Sequence, residues 1–184
     1  MTGKFWISCL ALMGAAVLAF GKDKAAPKSV APVPAPGQQA PGFSLAATGG
    51  KASLKDYKGR FLVLVFYPKA FAPRDSKQMS DLAEVHGALK SMNAEVLGVS
   101  MDPLNIAADF RQTLKLPFTL ASDLDKTVSA QYGALGLGEL FSARKTFIID
   151  PKGRIAVVFD KVKDNNHGAQ VLQAVKALQA APAP

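Results

Sequence analysis

Apolar and polar positions alternate along the chain in blocks that predict strands and helices in turn. The continuous apolar run over 61–67 is typical of a strand buried on both faces. From Asp75 to Met92, apolar residues recur every three or four positions, which predicts an amphipathic helix. Further strands are predicted over 94–101, 118–120, 145–150 and 154–159, and further helices over 103–114, 125–132 and 168–179. This order predicts an α/β fold with a mixed central sheet and helices on both faces.

The first 21 residues have the pattern of a secretory signal peptide. Lys4 provides a basic start, the run from Phe5 to Phe20 carries no charge, and Gly21 provides a small residue for cleavage. We therefore expect an exported protein, periplasmic or secreted. The alternative is an uncleaved membrane anchor, although the run is shorter than the ~20 residues of a full span.

Two further segments have a composition that does not favour folding. Residues 22–41 are rich in Pro, Ala, Lys and Gln, which predicts an extended linker. Residues 180–184 repeat this composition and are predicted to be a disordered tail. One folded domain is therefore expected over 42–179, a length that can bury a sizeable core.

Composition excludes several classes of function. The chain has 22 Lys and Arg against 14 Asp and Glu, but these charges form no basic run, so nucleic-acid binding is not expected. Its two histidines, His86 and His167, lack metal-ligand spacing and are predicted to pack against the core and to cap the last helix. The glycines of 133–138 follow a helix instead of a strand, which argues against a nucleotide loop. No cofactor or metal is predicted.

One segment resembles a known active site. Residues 66–80, Phe-Tyr-Pro-Lys-Ala-Phe-Ala-Pro-Arg-Asp-Ser-Lys-Gln-Met-Ser, resemble the active-site segment of peroxiredoxins of the AhpC/TSA family. The family pattern is Pro, three residues, Thr or Ser, two residues, then the Cys that attacks peroxide. The similarity covers nearly all of 40–175, including the segments 53–59, 95–100 and 144–153, and is strongest to the bacterioferritin-comigratory subgroup. The resemblance implies a thioredoxin fold.

Carried over residue by residue, the resemblance assigns five positions. Pro68 matches the Pro that shields the family's pocket, and Arg144 matches the Arg that holds the thiolate and polarises the peroxide bond. Ala72 stands where the family has its Thr or Ser, and Asp75 stands where it has the reactive Cys. Ser80 occupies the position of the resolving Cys found in many members of the subgroup. No residue of this chain is therefore assigned a catalytic role.

The loss of sulfur determines the expected chemistry. Cys9 is the only cysteine and lies within the predicted signal peptide. The family reduces peroxide through a thiolate that becomes a sulfenic acid, and a carboxylate has no comparable oxidation. The sequence therefore predicts an inactive peroxidase, a pseudoenzyme that binds a protein partner or a small polar ligand, or acts as a holdase. The alternative, by family resemblance, is an antioxidant thioredoxin-dependent peroxidase. A homodimer is compatible with either.

Two roles remain open for Asp75. It could cap the helix, with Gln78 completing a capping box, and also pair with Arg144. Alternatively, Asp75 and Arg144 could form a pocket for a polar or anionic ligand. In the geometry implied by the resemblance, Lys69, Arg74 and Lys145 would also lie near that pocket.

Overall fold

A seven-stranded mixed sheet forms the centre of the computed structural model, which describes residues 32–160, 162 and 166–180. The sheet order is β2-β1-β5-β4-β3-β6-β7. Its strands are β1 Ser44–Ala47, β2 Gly50–Ser53, β3 Phe61–Phe66, β4 Ala94–Ser100, β5 Thr119–Ser122, β6 Lys145–Ile149 and β7 Ile155–Phe159. The predicted signal peptide and the last four residues of the predicted tail lie outside the described residues. Among the described helices, none is long and apolar enough to cross a membrane.

In the described residues, four α-helices flank the sheet. They are α1 Pro73–Ser91, α2 Leu104–Thr113, α3 Thr127–Gln131 and α4 His167–Ala180, with short 3-10 helices at Leu54–Tyr57 and Leu137–Glu139. The predicted α/β architecture with a mixed sheet is confirmed. The hairpin of β1 and β2 was not predicted, because its two strands have only four residues each and few large apolar side chains.

Strand β3 lies at the centre of the core. It pairs in parallel with β4 and antiparallel with β6, and five of its six residues are buried. Val63 and Val65 pack in a cluster with side chains of α1, α2 and α4. Leu64 and Phe66 belong to the cluster on the other face, which contains Tyr132 at the end of α3. A strand covered on both faces explains the unbroken apolar run in the sequence.

Helices α1 and α4 approach closely at a glycine. A Cβ atom placed on Gly168, in the first turn of α4, would lie 2.0 Å from the carbonyl oxygen of Asp81 in α1. This contact is with backbone, so it could be relieved only by moving a helix. In contrast, a Cβ on Gly87 within α1 would meet nothing within 4 Å.

The ordered domain begins upstream of the predicted boundary at Gly42. Gly37 donates a backbone hydrogen bond to the carbonyl of Ile155 at 2.8 Å, and Ala40 donates one to Gly153 at 2.9 Å. Pro34 is already buried. The expectation of an extended linker over 22–41 is therefore wrong for its last residues, because backbone pairing with the β6–β7 hairpin orders them despite their composition. At the other end, Ala180 belongs to α4 instead of the tail.

Candidate functional site

The sheet brings together two segments that are distant in sequence. Phe66 at the end of β3 pairs with Lys145 at the start of antiparallel β6. The loop that leaves β3 and the residue that precedes β6 therefore meet at one edge of the sheet. Asp75, in the first turn of α1, and Arg144, just before β6, lie at this meeting point.

Asp75 and Arg144 form a largely buried ion pair. Asp75 Oδ1 accepts hydrogen bonds from Arg144 Nε at 3.0 Å and from Arg144 Nη2 at 2.6 Å. Asp75 Oδ2 accepts a hydrogen bond from the backbone N–H of Lys69 at 3.2 Å. The Asp75 side chain is 1% exposed and that of Arg144 18%. The sequence prediction that these residues contact one another agrees with this geometry.

Burial dominates the electrostatics of Asp75. Loss of solvation raises the pKa of its carboxyl above the ordinary value of 3.8. Hydrogen bonding and charge from Arg144, followed by the Lys69 N–H, oppose this increase, whereas the nearby Asp102 carboxylate adds to it. The ion pair thus offsets part of the cost of placing a carboxylate in the protein interior.

A second carboxylate supports the same loop. Asp102, two residues after β4, accepts hydrogen bonds through Oδ2 from the Ala70 N–H at 2.7 Å and from the Ser100 hydroxyl at 3.0 Å. The Ser122 hydroxyl donates to the Asp102 carbonyl at 2.7 Å. In the sequence, Asp102 merely precedes the helix predicted over 103–114. Its position directly after a buried strand was the available signal for a role at this edge of the sheet.

The prediction that Asp75 caps the helix is wrong. Ala72 is the N-cap, Pro73 is the first helical residue, and the Ser76 N–H donates to the Ala72 carbonyl at 2.8 Å. Pro suits the first helical position because its fixed φ matches the helix and it has no N–H to satisfy, so α1 begins two residues earlier than expected. Gln78 is 3% exposed, and its amide has no hydrogen-bond partner within the described residues, so no capping box forms.

The other three positions that the resemblance assigned are Pro68, Ala72 and Ser80, and none of them hydrogen-bonds to the ion pair among the described residues. Pro68 lines a pocket of about 470 Å³ together with Lys69 and Asp102. Ala72 provides no hydroxyl, and Ser80 is half-buried on α1, about 7.5 Å further along the helix axis than Asp75. The remaining lining residues of this pocket are Met101, Pro103, Leu140 and Phe141.

Lys145 does not line this pocket, and its ammonium group is engaged elsewhere. It pairs with Asp160, just beyond β7. The expectation that Lys145 joins Asp75 and Arg144 around a ligand is therefore not supported by its contacts.

Three large apolar side chains are exposed on this part of the surface: Leu140 and Phe141, which line the pocket, and Phe71, in the loop that also contains Pro68 and Lys69. Leu140 is 78% exposed, Phe141 40% and Phe71 49%. Phe71 lies in the loop between β3 and α1 with a φ of 64°, and its ring contacts that of Phe110 at a centroid distance of 5.1 Å. Large exposed apolar side chains that gather around a pocket are typical of an interaction surface.

The two histidines have structural surroundings. His86 is buried against Phe118, with Nε2 3.8 Å from a Glu95 carboxylate oxygen, in agreement with a packing role. His167 is 1% exposed, and its Nε2 lies 2.9 Å from the Thr146 hydroxyl, so it fixes α4 to β6 instead of acting as an exposed cap. Burial lowers the pKa of both imidazoles. In the part of the chain that the structure describes, no three His, Cys, Asp or Glu residues group as a metal site.

Comparisons with known proteins identify the family. The AhpC/TSA family profile matches residues 36–158. The chain is 36% identical over 147 residues to peroxiredoxin Bcp of Escherichia coli strain K12, which covers 76% of this chain and 94% of that protein. A cysteine-to-serine mutant of Xylella fastidiosa PrxQ matches with a TM-score of 0.70 and 30% identity, over 74% of this chain and 89% of that one.

A third similarity concerns a protein of known activity. The bacterioferritin comigratory protein of Xanthomonas campestris, whose structures concern alkyl peroxide reduction, matches with a TM-score of 0.70 and 27% identity, over 74% of this chain and 91% of that one. These likenesses confirm the thioredoxin fold that the resemblance implied. The chain belongs to the AhpC/TSA family of antioxidant peroxiredoxins, in the bacterioferritin-comigratory subgroup.

Proposed function

We propose that this protein is a peroxiredoxin-fold binding protein that lacks thiol peroxidase activity. The observation that carries the proposal is the ion pair of Asp75 with Arg144. By the sequence resemblance, Asp75 occupies the position of the reactive thiol. In the structure both of its oxygens accept hydrogen bonds, and its side chain is 1% exposed. The position that the resemblance assigns to the nucleophile therefore holds a buried carboxylate whose hydrogen bonds are satisfied.

The chemistry of a carboxylate supports this proposal. Peroxide reduction by a thiol transfers an oxygen atom to sulfur and releases water or an alcohol. An aspartate has no lone pair that can be oxidised in this way. The only sulfhydryl of the chain is that of Cys9, in the predicted signal peptide. After cleavage of that segment, the mature protein would have no thiol.

The surface around the pocket supports a role in binding. Phe71, Leu140 and Phe141 are exposed, and the last two line a pocket with Lys69, whose backbone N–H donates to Asp75. Asp75 would then stand in for the negatively charged sulfinate of an overoxidised family member, and the apolar rim would hold a client protein in holdase fashion. The same rim could pair two copies of the chain as a homodimer.

Thiol peroxidase activity is the second candidate, and it is the function that the comparisons favour. The E. coli relative is named a peroxiredoxin, and the X. campestris neighbour is described by its reduction of alkyl peroxides. For this chain to act in that way, Cys9 would have to provide the thiol. The second candidate therefore requires Cys9, whereas the first does not, and substitution of Cys9 tests between them.

Localisation forms part of the proposal. A cleaved segment 1–21 would place the protein in the periplasm or outside the cell, and an uncleaved segment would anchor it to a membrane. Fractionation of cells that express the full chain, with mass measurement of the purified product, separates these outcomes. A full-length product in the cytoplasmic fraction would contradict export.

The peroxidase test compares the full chain with two variants, Cys9→Ser and Asp75→Ala. Each is mixed with hydrogen peroxide or cumene hydroperoxide and a thioredoxin reducing system, and peroxide consumption is followed. We expect background rates for all three. Turnover lost in Cys9→Ser would establish the second candidate, and turnover lost in Asp75→Ala would contradict the proposal.

The holdase test heats a client enzyme, such as citrate synthase, and follows its light scattering. We expect the full chain to suppress aggregation at a near-stoichiometric ratio. A Phe71→Ser/Leu140→Ser variant should be less effective because it removes apolar area at the rim. An absence of suppression at roughly tenfold excess would exclude the holdase role.

A further inference from the structure

A second cleft lies at the opposite end of β3 and β6 from the Asp75–Arg144 pair. Its lining includes Leu62, near the start of β3, and Ile149, the last residue of β6. Because β3 is six residues long, the two sites are separated by roughly 20 Å. The cleft has a volume of about 560 Å³, which is within the usual range for small-molecule pockets. It is therefore a distinct site.

The floor of this cleft is apolar. Phe43, Leu62 and Ile149 are buried members of the core cluster beneath it. Leu54 and Tyr57, from the 3-10 helix that follows β2, are partly buried and pack on the same cluster. An apolar ligand segment could therefore lie against a continuous hydrophobic surface.

Three lysines surround the floor. Lys55, Lys58 and Lys152 line the cleft and are exposed. Within residues 32–160, 162 and 166–180, none of their ammonium groups has a hydrogen-bond or ion-pair partner. These three lysines and Arg60 are the cationic residues of the lining, against one acidic residue, Asp150, so the rim carries a net positive charge.

The nearby carboxylates are already engaged. Asp56 accepts hydrogen bonds from the N–H and hydroxyl of Ser53 at 2.7 and 2.9 Å. Asp150 accepts the backbone N–H groups of Lys152 and Arg154, and also Arg154 Nε at 3.2 Å. These acids hold local turns and form no ion pair with Lys55, Lys58 or Lys152 among the described residues.

Tyr57 adds a polar donor to the apolar floor. Burial raises the pKa of its hydroxyl to about 12, so the group remains protonated at neutral pH. In the described part of the chain its hydroxyl makes no hydrogen bond. Arg60 lies over its ring at 5.8 Å and helps to hold the ring in place.

We propose that this cleft binds a single-chain amphipathic carboxylate, a free fatty acid of medium length. Its hydrocarbon chain would lie on the floor formed by Leu54, Tyr57 and Ile149, and its carboxylate would meet the lysines of the rim. A cationic amphiphile would face a rim with more cationic than acidic side chains. The inference does not depend on the chemistry at Asp75.

The experiment uses the full chain and decanoate as the probe, below its micelle concentration. Decyltrimethylammonium, with the same chain length and the opposite charge, is the ligand control. We expect calorimetry to show decanoate binding at least about tenfold more tightly than the cation. In NMR spectra, the amide signals of Leu54, Tyr57 and Ile149 should shift, whereas those of Phe71 and Phe141 should not.

Two charge reversals provide the protein control. Lys58→Glu should weaken decanoate binding by roughly fivefold or more, whereas Lys176→Glu, the same change on exposed α4, should have less than about a twofold effect. Melting temperatures establish that both variants are folded. The proposal would be overturned if the protein bound decanoate and the cation with equal affinity, or if the two Lys-to-Glu variants had equal effects on decanoate binding. It would also be overturned if the NMR shifts were confined to the loop that contains Phe71, or if the protein bound only to vesicles of anionic phospholipid.

Discussion

The two ends of strands β3 and β6 have opposite electrostatic character. At one end, Asp75 and Arg144 form a charge pair that is largely removed from solvent. At the other end, Lys55, Lys58 and Lys152 surround an apolar cleft without an acidic partner among the described residues. The same two strands position both arrangements. The first end satisfies its charges internally, whereas the second leaves charges available for a ligand.

Only one of these two ends corresponds to the site by which the family is recognised. The end that resembles the family's reactive site retains the loop, the helix and the Arg, but its central position holds a carboxylate that is already bonded. The opposite end has no counterpart in the motif that identified the family. A charge change should therefore destabilise the protein at the first end and leave its stability unchanged at the second.

The largest expected loss of stability comes from Asp75→Ala. This change leaves the Arg144 guanidinium without its carboxylate and the Lys69 N–H without its acceptor. Breaking one partner of a buried ion pair typically costs about 3 kcal/mol. Urea denaturation of the variant and the wild type measures the difference. Equal midpoints would show that the ion pair makes no net contribution to folding.

Asp75→Asn should cost less, about 1 kcal/mol, because the amide oxygen can still accept a hydrogen bond from Arg144. The pKa of Asp75 is raised in the folded state, so its carboxyl favours folding most at pH values below its ordinary pKa. The stability advantage of the wild type over Asn should therefore shrink as the pH rises through the raised pKa. Unfolding curves from pH 3 to 8 test this, and an advantage that grows with pH would contradict it.

His167 is expected to make a smaller contribution to folding stability, and one that depends on pH. Burial lowers its pKa below 6.5, so the unfolded chain takes up a proton before the folded protein does. The stabilising contribution of neutral His167 is present above pH 6.5 and is lost as the pH falls through that value. In His167→Gln, the decrease in melting temperature between pH 7.5 and 5.5 should be shallower. Burial also lowers the pKa of His86, so His86→Gln should change the slope in the same direction, and an unchanged slope in His167→Gln would refute the assignment.

The smallest change in stability is expected at the end of β3 and β6 that carries the lysine-lined cleft. Lys58→Glu removes one of three neighbouring positive charges from an exposed position, so it should change stability by less than about 0.5 kcal/mol. Thermal unfolding of this variant beside Asp75→Ala compares the two ends directly. A loss at Lys58 as large as that at Asp75 would remove the distinction between them.

Local pattern predicted most of the architecture. The unbroken apolar run of β3 and the three-and-four spacing of α1 identified their elements, because each reflects burial of a whole face. The short strands β1 and β2 were missed because four residues carry too little pattern. The ordered segment 37–40 was missed because its structure comes from backbone pairing with the β6–β7 hairpin, which composition does not encode.

At the site, resemblance brought Asp75 and Arg144 together correctly, but the cap was misplaced. Pro73 begins the helix, because the preference of Pro for the first helical position outweighs the capping preference of Asp two residues later. The cleft near Tyr57 depends on contacts between segments distant in sequence, which leave no local signal, whereas Asp102 had only its position after a buried strand to indicate its role.

The most direct test of the central claim restores the missing sulfur. In a Cys9→Ser background, Asp75→Cys would place a thiol in the first turn of α1 beside Arg144, where the helix dipole and the guanidinium stabilise a thiolate. Ser80→Cys in the same background is the matched control, on the same helix but beyond its first turn. Thiol titration against pH and the rate of reaction with hydrogen peroxide are measured for both. The account predicts that only the thiol at position 75 has a pKa below the ordinary ~8.5 and is oxidised rapidly. Equal thiol pKa values and equally slow oxidation at positions 75 and 80 would contradict it.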